Sequence, residues 1–242
     1  GTLINPHSLN PTYVASADDG DNSPVSLTLT AQGLGGCGQT NSDIALVCIN
    51  RDPEVFAGND ASICHDGSVY AISDATANDY ASIQWTHTGA GVLMNPTTVN
   101  PVYVPDNADF ASGFVLFNMT AEPLSPCATS KSDYMILTMI ENVTVDAGPD
   151  DAVCASGVYD LVSASAEDYT SVLWTTSGDG IFSNPQLINP GYTPGANDII
   201  NGSVTLTLTG QPLAPCSLVT DDQMLLTIIE EPVSEAGSDA VI

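Results

Sequence analysis

An internal period of 89 to 90 residues constrains this chain more than any other feature. Cys64 recurs as Cys154, 90 residues on, and Trp85 recurs as Trp174, 89 residues on. Asn-Pro pairs stand at Asn5-Pro6, Asn95-Pro96 and Asn184-Pro185, and again five residues later at Asn10-Pro11, Asn100-Pro101 and Asn189-Pro190. Tyr13, Tyr103 and Tyr192 follow, then Asp19, Asp109 and Asp198, then Cys37, Cys127 and Cys216. The linker segments FAGND, DAGPD and EAGSD repeat with the same spacing from residues 56, 146 and 235. Residues 1–52 therefore read as the C-terminal part of one unit, 53–142 and 143–232 as complete units, and 233–242 as the start of a further one. The chain opens with Gly and out of phase with its own period, so it reads as a segment of a longer tandem array. A unit of this length can bury its own core, which predicts beads on a string and not the turns of a solenoid.

Within a unit the pattern is that of β-structure. Val204, Leu206 and Leu208 alternate with Thr205, Thr207 and Thr209, and Val25, Leu27 and Leu29, then Val115, Phe117 and Met119, keep the same phase. That period of two belongs to a half-buried strand. Further short apolar runs are separated by clusters of Gly, Pro and Asn, and no sustained helical period occurs. Seven or so strands in about 90 residues, with a Trp on the third, predict an immunoglobulin-like β-sandwich. The fold class expected is all-β, a tandem of Ig-like sandwich domains with Trp85, Trp174, Tyr103 and Tyr192 as its core signature.

Charge narrows the partners. Only Arg51 and Lys131 oppose 29 Asp and Glu, a formal charge of −27. Such a surface repels phosphate backbones and anionic bilayers, which argues against nucleic acid and membrane partners. Disorder is disfavoured too, because 43% of residues are hydrophobic and only 13% charged. No apolar run approaches the roughly 18 residues of a membrane span.

The order AGPD at the start of a unit, a Trp followed by GDG, and a Tyr ahead of a VTLTLTG strand is similar to the polycystic-kidney-disease (PKD) domain, an Ig-like module. The match is closer to tandem repeats in giant surface adhesins of Bacteroidota, the SprB type of gliding-motility adhesin. Those combine a cysteine shortly after AGPD, the stretch LWTTSGDGIFSNPQLINPGYTP seen here at 173–194, and a late cysteine. The resemblance implies a bacterial cell surface, export by the type IX system and a role in gliding.

Six cysteines in a secreted-looking array suggest disulfides. An Ig-like topology predicts one bridge within each complete unit, Cys64 with Cys127 and Cys154 with Cys216. Closing a loop of about 60 residues would add about 4 kcal/mol by chain-entropy reasoning. Cys37 then expects a partner outside the chain, and Cys48, which has no counterpart, is either a free thiol or the partner of Cys37. Reduced core cysteines are the alternative, and zinc is disfavoured by the lack of CxxC pairs or clustered His.

No catalytic constellation is legible. His7, His65 and His87 have Thr97, Ala155 and Thr176 as the nearest equivalents, so none is maintained, and all three are expected at the surface. No GxSxG, HExxH or phosphate-cradling loop occurs, and the chain is not expected to be an enzyme. The carboxylates do recur. Asp60 and Asp150 in the linkers, with Asp239, and Asp109 and Asp198 are candidate Ca²⁺ ligands that would stiffen the junctions. The competing expectation is that they hydrogen-bond the backbone of turns. Asp179 in the Gly-Asp-Gly stretch aligns with Ala90 and is expected to be a turn residue.

The function expected is structural and adhesive, in a secreted or surface-anchored repeat protein whose partners are neighbouring repeats, surface glycans or other surface proteins. The alternatives are spacer or carbohydrate-binding modules of a secreted polysaccharide-degrading enzyme, or the subunit of an extracellular filament. No cofactor is required on this reading, with Ca²⁺ as the option.

Overall fold

The computed structural model describes residues 1–235 and 237, so the linker aspartate at position 239 lies outside the described residues. Among the described residues the regular structure is mostly β-strand, with three short helices, and the chain divides into two compact units. One contains residues 1–61, 69–104 and 115–136, the other 62–68, 105–114 and 137–242.

The second unit contains the whole stretch 143–232. One of its sheets runs in the order Asp151–Cys154, Thr220–Ile229, Ser203–Pro212 and Tyr169–Thr176. The short strand Asp151–Cys154 lies parallel to Thr220–Ile229, with Cys154 opposite Ile229, and the other pairings are antiparallel. Thr144–Asp146 pairs with Ser165–Glu167, and Gly191–Thr193 lies between Tyr159–Asp160 and Ile181–Phe182. Leu206 and Leu208, on alternate positions of Ser203–Pro212, point into a core shared with Trp174, Tyr192, Leu161, Met224 and Leu226. Each such large side chain removed from water contributes about 1.5–3 kcal/mol.

In the first unit the same local pairings recur one period upstream. Phe117 to Glu122 pair with His87 back to Ser82, so that Met119 faces Trp85. Val102–Val104 lies between Tyr70–Ala71 and Val92–Met94, and Glu54–Phe56 pairs with Thr76–Asn78. Residues 1–52 supply two hairpins, Thr2–Ile4 with Thr12–Val14 and Val25–Gln32 with Thr40–Val47.

The Asn-Pro stretch acts as an edge strip. Trp174 and Trp85 are both about 2% exposed, and their backbone amides donate to Pro185 O and Pro96 O at 2.8 Å. Their indole Nε1–H groups donate to Ile188 O at 3.1 Å and Thr98 O at 3.0 Å. The second Asn-Pro pair does the same for the other sheet: Leu161 N–H donates to Pro190 O, and the Asn189 amide donates to Leu161 O and Ala164 O. Proline has a carbonyl to give and no N–H to leave unpaired, which suits a segment that only accepts from a strand edge.

Candidate functional site at the cysteine junction

The cysteine pairing differs from the sequence expectation. Cys64 is bonded to Cys216, with 152 residues between them in sequence and Cα atoms 5.0 Å apart, while Cys37, Cys48, Cys127 and Cys154 are free thiols. Cys64–Cys127 is absent because Cys64 is bonded elsewhere, and Cys154–Cys216 is absent for a reason visible in the register of residues 143–232. Because Asp151–Cys154 runs parallel to Thr220–Ile229, Cys154 ends beside Ile229, whereas Cys216 precedes the opposite end of that ten-residue strand. The two are separated by about 30 Å of strand, far beyond the reach of one bridge. Cys37 and Cys48 are likewise both exposed and unpaired.

Around the bridge, the connection between Ile140 and Thr144 is short and packed. Val143 is 2% exposed, and Glu141 and Asn142 are half-buried. The Asn142 side-chain amide donates to His65 O, and His65 N–H donates to Ile140 O at 2.9 Å. Cys216 Sγ lies 3.6 Å from the carbonyl oxygens of Ile140 and Glu141. His65, expected at the surface, is 32% exposed and also engaged. Its ring stacks on Phe110 at 4.0 Å, Nδ1 sits 2.7 Å from Glu141 Oε2, and Nε2 sits 3.1 Å from Asn107 Oδ1. The Glu141 hydrogen bond holds the imidazole pKa above its ordinary value against the opposing effect of burial. His87 is engaged as well, edge-on to Tyr103 at 5.1 Å and near Phe117, with Nδ1 buried and unpartnered.

The recurrent carboxylates are occupied by amides. Asp60 Oδ1 accepts from Ile136 N–H and Asp150 Oδ1 from Leu225 N–H, each at 2.8 Å. Asp133 and Asp222, which recur on the last strand of each unit, accept from Ala57 N–H and Ala147 N–H at 2.8 Å. Asp198, 1% exposed, takes the Tyr192 hydroxyl at 2.7 Å, the amides of Gly180 and Gly195 at 3.0 Å, and the Asp179 amide at 3.2 Å. Burial pushes that carboxyl upward, but these four donors outweigh it and hold its pKa below the ordinary carboxylate value. The Tyr192 hydroxyl is pushed up to about 12, first by burial and then by the charge it faces. Asp109 is buried to the same degree and accepts the Asp106 amide at 2.9 Å.

Three of the four donors to Asp198 fall on Oδ2 and one on Oδ1, whereas Ca²⁺ asks for six to eight oxygens together. Among the described residues no three His, Cys, Asp or Glu side chains converge. In this structure the carboxylates proposed from sequence as calcium ligands, Asp60, Asp150, Asp109 and Asp198, accept hydrogen bonds from the chain itself.

Asp179 has a role that its alignment with Ala90 concealed. Its carboxylate accepts from Asn197 N–H at 3.0 Å and from the Asn197 side-chain amide at 3.1 Å, capping the helix Ala196–Asn201 from a distant turn. The helix Asn107–Ser112 is capped by its own Asp106, which accepts from Ala108 N–H at 2.9 Å. Gly195 occupies the place of Asp106 because a Cβ there would meet Asp179 Oδ1 at 2.1 Å. The signal was a covariation between two repeats: Ala90 with Asp106, Asp179 with Gly195.

A groove of about 610 Å³ lined by Tyr169, Thr170, Gln186 and Asn189, among others, contains hydroxyls and amides but no carboxylate, imidazole or thiol. No described helix is long and apolar enough to cross a membrane.

No known family's sequence profile matches the chain, and no curated protein matches it in sequence. Solved structures do. Mouse clustered PcdhgC3 EC1-3 matches with a TM-score of 0.53 at 11% identity, over 86% of this chain and 77% of that one. Protocadherin gamma B7 extracellular cadherin domains 1–4 match at 0.48 and 13%, over 87% of this chain and 58% of that one. Drosophila N-cadherin EC1-4 gives 0.44 and 15%, over 85% and 58%. At such identities the likeness is one of fold: the chain has an all-β, tandem Ig-like β-sandwich fold.

Proposed function

We propose that this chain is a structural and adhesive stretch of a secreted, surface-displayed repeat protein, of the bacterial gliding-adhesin kind its signature resembles. The observation that carries this reading is the connection at 141–143. Val143 is buried and Asn142 is hydrogen-bonded beside a disulfide, a fixed connection unlike the Gly/Ser-rich composition of a flexible linker. The burial of both tryptophans adds support, since sugar-binding faces present flat aromatics to solvent.

The test is display on the producing cell. Antibody raised against this chain should label intact cells, and brief external proteolysis should remove the label. Label found only on a released protein that also carries a hydrolase domain would instead favour the spacer reading. The junction is expected to need no metal, so melting should be the same in EDTA and in millimolar Ca²⁺. A rise of several degrees with Ca²⁺ would return Asp60, Asp150, Asp109 and Asp198 to the role of ligands.

A further inference from the structure

The Cys64–Cys216 bridge joins the early cysteine of one sequence repeat to the late cysteine of the next. Two of the free thiols occupy the same two seats. Cys127, the late cysteine one period before Cys216, donates its S–H to Asn50 O at 3.3 Å. Asn50 stands one period before Ile140, the residue whose carbonyl lies beside Cys216 Sγ. Cys154, the early cysteine one period after Cys64, ends its strand beside Ile229, and Ala155 N–H donates to Ile229 O at 2.9 Å. The corresponding bond at Cys64 is His65 N–H to Ile140 O, also 2.9 Å. Each free thiol thus keeps the backbone address of its bonded counterpart.

We propose that the bridge is one rung of a repeat-to-repeat series, in which the early cysteine of each unit bonds the late cysteine of the unit that follows. Cys154 is then an early half-rung, specific for the late cysteine of another repeat of this type, and Cys127 is a late half-rung, specific for an early one. Pairing within a unit is ruled out by the separation of Cys154 from Cys216 along Thr220–Ile229. Each rung forms by loss of two protons and two electrons from two thiols. A disulfide oxidant such as glutathione disulfide takes them up and leaves as two thiols. The series fixes every junction covalently, whatever the repeats bind.

Two measurements on intact protein test it. Unreduced peptide mapping of the full chain, oxidised with glutathione disulfide and alkylated, should show Cys64 joined to Cys216 with Cys127 and Cys154 alkylated. A Cys64–Cys127 or Cys154–Cys216 peptide would overturn the scheme. The full chain should then be extended by a second copy of residues 143–232, itself carrying Cys154→Ser so that a single Cys154 remains, placed after Pro232. Cys154 is expected to lose alkylation and to appear joined to the second copy of Cys216. Cys154→Ser in that extended chain should leave the second copy of Cys216 alkylated and the Cys64–Cys216 peptide intact, which also reports that the chain has folded. Persistent alkylation of Cys154 beside a formed Cys64–Cys216 bond would show that the bridge is an isolated feature and not a series.

Discussion

The strand pairs Val25–Gln32 with Thr40–Val47 and Ser203–Pro212 with Thr220–Ile229 have the same alternation and the same register of pairing, yet they differ in what they bury. Leu208 is fully buried, and Leu29, two periods earlier, is 57% exposed. The later pair sits in a four-stranded sheet facing Trp174 and Tyr192, while the earlier pair forms a two-stranded sheet. Tyr13 and Tyr192 differ likewise, half-buried in one and fully buried in the other, though both donate to an Asp six residues on at 2.7 Å. Alternation therefore specifies which face a residue presents, and the opposing layer specifies what that face is worth.

The largest expected effect distinguishes the bridged region from the unbridged one. Reducing Cys64–Cys216 opens a loop spanning 152 residues, for which chain-entropy reasoning gives about 5 kcal/mol. Dithiothreitol should lower the melting of residues 143–232 by many degrees and leave amide exchange in 1–52 unchanged. Equal loss in both regions would break the comparison.

Next in size is the matched pair Leu208→Ala and Leu29→Ala. The buried site should lose about 3 kcal/mol and the exposed one about 0.5 kcal/mol, read from urea midpoints. Similar losses would mean that the two-stranded sheet is covered in solution.

The carboxylate lock is expected to act at acid pH. Because the folded pKa of Asp198 lies below its unfolded value, its contribution is complete above about pH 4 and is lost as pH falls through the folded value. Acid unfolding of 143–232 should therefore soften in the Asp198→Asn variant. Asp179→Ala should cost about 1 kcal/mol as a lost helix cap, measured at neutral pH, where filling the Ala90 position with Asp should give no comparable gain because Asp106 already caps that helix.

His65 gives the smallest effect. Its raised folded pKa makes the Glu141 contact fully stabilising below the ordinary imidazole value near 6.5, with the contribution lost as pH rises through the folded value. Both side chains are partly exposed, so screening keeps the gain small. Ring-proton titration should place His65 above its ordinary value, and Glu141→Gln should bring it back.

Much of the fold was legible because it is local or periodic. A period of two in SVTLTLTG, Asn-Pro punctuation and a recurring Trp and Tyr point to an all-β sandwich with little ambiguity. The site was legible only in its ingredients. Recurrent Asp and Cys could be listed, but a carboxylate that accepts a distant amide and one that awaits a cation have the same one-letter code. Asp179 shows this most plainly, since its partners Asn197 and Asp198 are supplied by a helix 18 and 19 residues away.

By itself, then, the sequence determined the repeat, its strands, its acidity and the residues at its core, because these follow from periodicity and composition. Only the tertiary structure decided which cysteine meets which. The parallel register of Asp151–Cys154 on Thr220–Ile229 puts the early cysteine at the far end of its own sandwich. The equivalent seat at Cys64 is within bonding distance of the next repeat's late cysteine, and no spacing along the chain encodes that direction.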